Sequence, residues 1–283
     1  MKKIVLLGIA LSLGLHINAL LVVNEPSVII YETPEDQAYI EDVIRYGTKI
    51  EVVEEKNGWV YVTYPGCHGW VLEEKLLEIK EDPELHANAF VGYRGAYLFK
   101  EADTEYGPFL ALPFETPLEV IEELPGTNKR WVGVKLQDGQ TGYIQRSQIT
   151  FSKRHMTSSD MVSFSQNFMG TKYLWGGTTS FGYDCSGFVQ MLYRQMGLAL
   201  PRNSKQQAVD PRFVEVKKAE AGDLVFFRNA KGKVVHVGMM INQKEFIHAF
   251  TKEEAWICVS SLSDKHFQNG HFYYGFEIRH LST

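Results

Sequence analysis

Hydrophobic patterning divides the chain near residue 151. Before that point, apolar and polar positions alternate in short runs punctuated by Gly and Pro, which predicts short antiparallel strands. The run Thr48-Lys49-Ile50-Glu51-Val52-Val53-Glu54-Glu55 recurs 68 residues later as Thr116-Pro117-Leu118-Glu119-Val120-Ile121-Glu122-Glu123. A strand opening on tryptophan follows each copy, Trp59-Val60-Tyr61-Val62 and Trp131-Val132-Gly133-Val134. Gly69-Trp70-Val71 and Gly142-Tyr143-Ile144 come next in their respective copies. The duplication predicts two small β-barrels, over 20–82 and 83–152.

Beyond residue 151 the period lengthens. Ser158 or Ser159 caps a predicted helix carrying Met161, Val162, Phe164 and Phe168. A second helix over 185–196 bears the stripe Phe188, Val189, Leu192 and Met196, and Gly197 stops it. A short helix is expected near 204–208, then strands over 223–227, 234–241, 245–250, 256–260 and 272–279. Helices followed by an antiparallel sheet make 153–283 an α+β domain.

The first nineteen residues read differently. Met1-Lys2-Lys3 is basic, 4–15 is apolar, and Ile17-Asn18-Ala19 supplies a small residue for cleavage. This predicts a secretory signal peptide over 1–19, too short for a membrane span of about 20 residues. The mature protein is expected to be soluble and exported, to the periplasm, the cell envelope or beyond, with a monomer favoured. The net charge is -5, and removing Lys2 and Lys3 with the leader takes it to -7. Without a basic stripe there is no electrostatic footprint for nucleic acid. Three cysteines, Cys67, Cys185 and Cys258, are too few for a disulfide framework, and nothing argues for a Cys67–Cys258 bridge. With no CxxC and no HExxH run, neither a metal nor a cofactor is expected.

Candidate chemistry centres on Cys185, at the predicted start of the second helix. Unpaired backbone N–H groups and the positive end of the helix dipole favour a thiolate there. Such positions lower a cysteine pKa from about 8.5 to roughly 3.5–7.5. A small buried thiol is the competing reading, and the histidines weigh against it. If 234–241 and 245–250 pair through the three-residue loop Asn242-Gln243-Lys244, His236 and His248 project from one face. A two-residue loop would send His248 to the other face. In the first arrangement His236 serves as base for Cys185 and His248 orients it. Asp184 is left with two readings: it caps the helix, or it receives a cationic group of a ligand.

Tyr173-Leu174-Trp175-Gly176-Gly177, Asp184-Cys185-Ser186-Gly187-Phe188, Leu200-Pro201-Arg202, Gly222-Asp223-Leu224-Val225-Phe226-Phe227 and His236-Val237-Gly238 together resemble the NlpC/p60 cysteine peptidases. The repeated strands resemble bacterial SH3-like domains. The resemblance implies a papain-like catalytic domain preceded by two SH3-like modules. It implies hydrolysis of the γ-D-glutamyl–diamino acid amide in peptidoglycan stem peptides, without a metal. It matches Cys185, His236 and His248 to the catalytic positions and Tyr173 to a tyrosine near the oxyanion. Asp184 and Ser186 match positions that hold the free amine of an N-terminal L-alanine, while Arg202 and Ser204 line the cleft. From the first module, Tyr64 and Glu41 are the implied substrate contacts. A peptidoglycan-binding adaptor with an inactive C-terminal domain, and an N-acetylmuramoyl-L-alanine amidase, are the competing readings.

Overall fold

The computed structural model describes residues 20–153, 155–251, 255–268 and 273–282; the expected signal peptide lies outside them. The first sheet contains β1 (Leu20–Val23), β2 (Ser27–Tyr31), β3 (Ile40–Arg45), β4 (Lys49–Lys56), β5 (Trp59–Tyr64), β6 (Cys67–Leu72) and β7 (Leu76–Ile79). Its spatial order is β3-β2-β6-β5-β4-β1-β7. The second comprises β8 (Ala89–Val91), β9 (Gly95–Phe99), β10 (Leu110–Pro113), β11 (Pro117–Glu123), β12 (Trp131–Lys135), β13 (Thr141–Gln145) and β14 (Ile149–Thr150). Its order, β10-β9-β13-β12-β11-β8-β14, repeats the first strand for strand.

Even an irregularity is shared. The register slips between Val52 and Glu54 against β5, and between Val120 and Glu122 against β12. Such bulges increase local twist and curl a sheet around its apolar face. That face holds Ile30, Ile44, Val60, Val62 and Val71 in the first sheet. Leu98, Leu112, Val132, Val134 and Ile144 fill the second. Neither sheet closes into the expected barrel, since β3 and β7, like β10 and β14, stay at opposite ends. The end strands are short, four residues in β7 and two in β14, and carry few backbone groups with which to seal one.

The C-terminal unit holds α1 (Ser158–Ser165), β15 (Thr178–Thr179), β16 (Gly182–Tyr183), α2 (Cys185–Arg194) and α3 (Ser204–Gln207). They precede β17 (Phe213–Val216), β18 (Leu224–Arg228), β19 (Val234–Met240), β20 (Glu245–Phe250), β21 (Trp256–Ser261) and β22 (Phe276–Leu281). The sheet order is β17-β22-β18-β19-β20-β21. Thr157 caps α1 rather than Ser158 or Ser159, because Asp160 returns its bond in a capping box. The edge strand β17 was not anticipated; Val214 and Glu215 are both exposed, which erases the alternation. Phe188, Val189 and Leu192 of α2 pack with Leu224, Phe226, Val237 and Ile247 on one face. Val225, Phe227, Phe246, Phe267 and Tyr273 form the core of the other. No described helix is long and apolar enough to cross a membrane.

Both N-terminal sheets touch this unit. Val43 bridges to Gly177, and Thr178 Oγ1 donates to the Val43 carbonyl. From the second sheet, Glu115 accepts from Arg194 Nη2 at 2.7 Å and Gln195 Nε2 at 2.6 Å.

Candidate active site

Asp184 caps α2, accepting from the Gly187 N–H at 2.7 Å, so Cys185 is the first helical residue. The Gly176-Gly177 turn lies directly on this first turn. A Cβ at Gly187 would stand 2.2 Å from the Gly177 carbonyl oxygen, so a side chain there would push the two segments apart.

The backbone N–H groups of Ser186 and Val237 point their partial positive charge towards Cys185 Sγ and favour its ionised form. Pairing of β19 with β20 covers only Met239↔Ile247 and Met240↔Phe246, leaving the Val237 backbone beside the sulfur. The thiolate expected at this helix start is not the resting form. Burial first, then Asp184, pushes the Cys185 thiol up to about 12, against smaller opposing pulls from those N–H groups and Arg202. Desolvation outweighs the partial charge of a helix end. Burial likewise pushes His236 down to about 3, and His248 well below its ordinary value. Thiol and imidazoles are therefore neutral at rest.

The two histidines are brought together by loop length. Ile241 N donates to Glu245 O, leaving Asn242-Gln243-Lys244 as the loop. Gly238 stands against His248: a Cβ there would lie 3.2 Å from the His248 Cβ and 2.7 Å from the Phe246 ring. His236 Nε2 and His248 Nδ1 are 2.7 Å apart, and both side chains are almost wholly buried. Tyr273 stacks on His236 at 5.7 Å and Phe250 on His248 at 4.9 Å. Among the described residues, no hydrogen bond joins Cys185 Sγ directly to an imidazole.

These buried neutral rings set an acid limit on stability. A histidine with a depressed native pKa binds its proton more readily when unfolded. Its contribution is complete above about 6.5 and is lost as pH falls towards 3. Going from pH 7 to pH 5 should cost about 2 kcal/mol through His236 alone, at 1.36 kcal/mol per pKa unit. Calorimetric melts at both pH values should show that loss, and His236→Gln should show a shallower one.

Beside the thiol lies a buried ionic cluster. Arg202 donates to Asp184 at 2.6 and 3.2 Å, to Ser186 Oγ at 3.1 Å and to Asp42 Oδ1 at 3.1 Å. Tyr64 OH donates to Asp42 Oδ2 at 2.5 Å. Arg202, Asp42 and Asp184 are 7%, 4% and 8% exposed. Burial raises the Asp42 carboxyl despite donors from Arg202, Tyr64 and the Val43 N–H, while the two carboxyls keep Arg202 charged against its own desolvation. Asp184 thus both caps the helix and meets a cation, and that cation is this chain's own Arg202.

The remaining residues divide. The register of β2 against β3 slips from Ile30↔Asp42 to Tyr31↔Ile40, which skips Glu41 and turns Asp42 inward. The carboxyl in the cluster is therefore Asp42, not Glu41. Ser204 opens α3, and its hydroxyl makes no bond to the cluster among the described residues. Tyr173 faces Cys185, and burial keeps its hydroxyl protonated. Trp175 is 53% exposed and edge-on to Tyr39 at 5.8 Å. Tyr183 is core and Trp59 packs on Tyr31. A cavity of about 800 Å³, lined by Asp42, Tyr64, Thr178, Gln190, Pro201 and Arg202 among others, opens on the cluster; Cys185 lies outside its lining. All three cysteines are free. Asp42, Tyr273 and Ser260 were not singled out from the sequence. A strand adjacency identifies the first, but nothing local identifies the others.

Comparison with known proteins follows the same lines. The profile of the NlpC/P60 family matches residues 170–274. The gamma-D-glutamyl-L-lysine dipeptidyl-peptidase of Bacillus subtilis is 28% identical over 221 residues, covering 74% of this chain and 72% of that protein. The murein DD-endopeptidase MepS/murein LD-carboxypeptidase of Escherichia coli K12 is 34% identical over 134 residues, 46% of this chain and 69% of its own. The crystal structure of an NlpC/P60 family protein from Bacillus cereus superposes with a TM-score of 0.78 at 22% identity. It covers 94% of this chain and all of that one, a likeness of fold.

Proposed function

The chain belongs to the NlpC/P60 family of cysteine peptidases, and from that premise we propose that it cleaves the γ-D-glutamyl–diamino acid amide of peptidoglycan stem peptides bearing a free N-terminal L-alanine. Cys185 is the nucleophile, His236 the base and His248 its orienting partner. As Sγ attacks the γ-carbonyl, Nδ1 of His236 takes the thiol proton. The backbone N–H of Cys185 and the Tyr173 hydroxyl stabilise the oxyanion. Collapse expels the diamino acid, whose nitrogen takes the proton back from His236. Water then gives a proton to His236, attacks the thioester and releases the dipeptide with the thiol restored. The Sγ–imidazole bond forms as substrate seats, since catalytic hydrogen bonds are often long before that.

One observation carries the substrate reading: two buried carboxyls, Asp42 and Asp184, face one guanidinium beside the nucleophile. The cluster is short of one positive charge, and a substrate ammonium supplies it. The raised Asp42 carboxyl fits a site that takes up a proton when no cation is seated. The Bacillus subtilis relative is named for a γ-D-glutamyl-L-lysine bond, the same linkage class.

The two N-terminal sheets serve as SH3-like modules spanning 20–82 and 83–152, the first closing the groove with Tyr64 and Asp42. The protein works in the cell envelope on stem peptides or released muropeptides. The test compares L-Ala-γ-D-Glu-L-Lys and its diaminopimelate counterpart with their N-acetylated forms, read by mass spectrometry. Free-amine peptides should be cut at least about 100-fold faster in kcat/KM, the cost of leaving a buried charge unpaired. Equal rates remove the amine role. Release of intact L-Ala-γ-D-Glu-L-Lys from an N-acetylmuramoyl tripeptide run alongside would instead establish an amidase.

A further inference from the structure

We infer that the Ser260 hydroxyl is a positioning residue for catalysis: by accepting the Nε2 proton of His248, it fixes the tautomer of both imidazoles and keeps His236 Nδ1 free to take the thiol proton. The inference deepens the reading of Cys185, His236 and His248 as a catalytic set and rests on it.

Strand register puts these groups in line. His248 on β20 pairs directly with Cys258 on β21, and Ser260 lies two residues further along the same face. His248 Nε2 is 3.0 Å from Ser260 Oγ and 3.6 Å from Cys258 Sγ. On its other side, His248 Nδ1 is 2.7 Å from His236 Nε2. Cys258 and Ser260 thus stand on one face of β21, both within reach of His248 Nε2.

Proton counting then leaves two arrangements for a pair of neutral rings. In one, His248 carries its proton on Nε2 and donates it to Ser260. Its bare Nδ1 accepts from His236 Nε2, so His236 Nδ1 is unprotonated. In the other, a hydroxyl or thiol proton is donated to His248 Nε2. His248 then holds its proton on Nδ1 and donates to His236 Nε2, which moves the His236 proton to Nδ1. That base cannot accept a proton from sulfur. Ser260 Oγ and Cys258 Sγ both stand against His248 Nε2, and a proton on that nitrogen, donated to the hydroxyl oxygen, gives the first arrangement. A carboxylate in the third position would enforce this sense by charge. A neutral histidine does not, so the group behind it decides.

The experiment reads the tautomers directly, by ¹⁵N spectra of the histidine rings in the resting full-length protein. Protons on Nε2 of both His236 and His248 are expected. Ser260→Ala should populate the Nδ1 form and slow iodoacetamide labelling of Cys185, followed on the Cys185 peptide. It should lower kcat about 10–100-fold with KM little changed, the size commanded by outer partners of functional histidines. Ser260→Thr, which keeps the hydroxyl, should restore all three readouts. A wild-type protein with His236 protonated on Nδ1 would overturn the inference. So would Ser260→Ala with unchanged tautomers and labelling. Neither spectra nor labelling requires a substrate, so absence of peptide cleavage by the wild type would refute the proposed function while leaving this inference to its own readouts.

Discussion

Cys185→Ala removes cleavage of L-Ala-γ-D-Glu-L-Lys, lowering kcat by about 10⁵-fold or more, the loss expected when a covalent nucleophile is deleted. Its melting temperature should stay within about 2 °C of wild type, because the residue gives up one sulfur held against burial and a neighbouring carboxylate. The two measurements belong together. Lost activity with an intact melt identifies a chemical role, whereas a collapsed melt would identify a structural one. Retained activity would move the nucleophile elsewhere.

Arg202→Met is the largest expected stability effect. It leaves Asp42 and Asp184 buried without their guanidinium, and breaking a buried pair in this way costs about 3–5 kcal/mol. Urea unfolding at pH 8 should show a deficit of that size, together with loss of cleavage. The deficit should shrink at pH 5. Burial already raises the native Asp42 carboxyl, and removing the cation strengthens its hold on a proton, so stability relative to wild type rises as pH falls. Replacing both carboxyls as well, in Asp42→Asn/Asp184→Asn/Arg202→Met, should recover most of the stability and none of the activity. Asparagine still caps α2 and still accepts from Tyr64. A deficit that persists in the triple variant would mean that Arg202 acts through packing rather than charge.

What was legible in the sequence followed from local rules. The start of α2 at Cys185 depends on a capping residue and a stripe, both visible in a window of a dozen residues. The meeting of His236 and His248 depends on a loop length, which sets parity without reference to the rest of the fold. The repeat was visible because alternation survives in both copies, down to a bulge at the same offset. The misreadings came from effects with no local trace. A register slip exchanges Glu41 for Asp42. The charge state of Cys185 is set by desolvation and by the Asp184 carboxylate, which a helix-start rule does not weigh. Tyr273 stacks on His236 across a long separation in sequence, which no local window reveals.

The duplicated sheets differ where it counts. Register places Leu110, opposite Leu98, where the first copy has Asp42 opposite Ile30. The matching ladders Val134↔Gly142 and Val62↔Gly69 place Leu136 where the first copy has Tyr64. Leu136 is buried core and Leu110 packs beside it. One twin therefore reaches into the Arg202 cluster while the other serves as masonry, so the cluster can be altered through two side chains of a single copy while the inherited framework stays untouched.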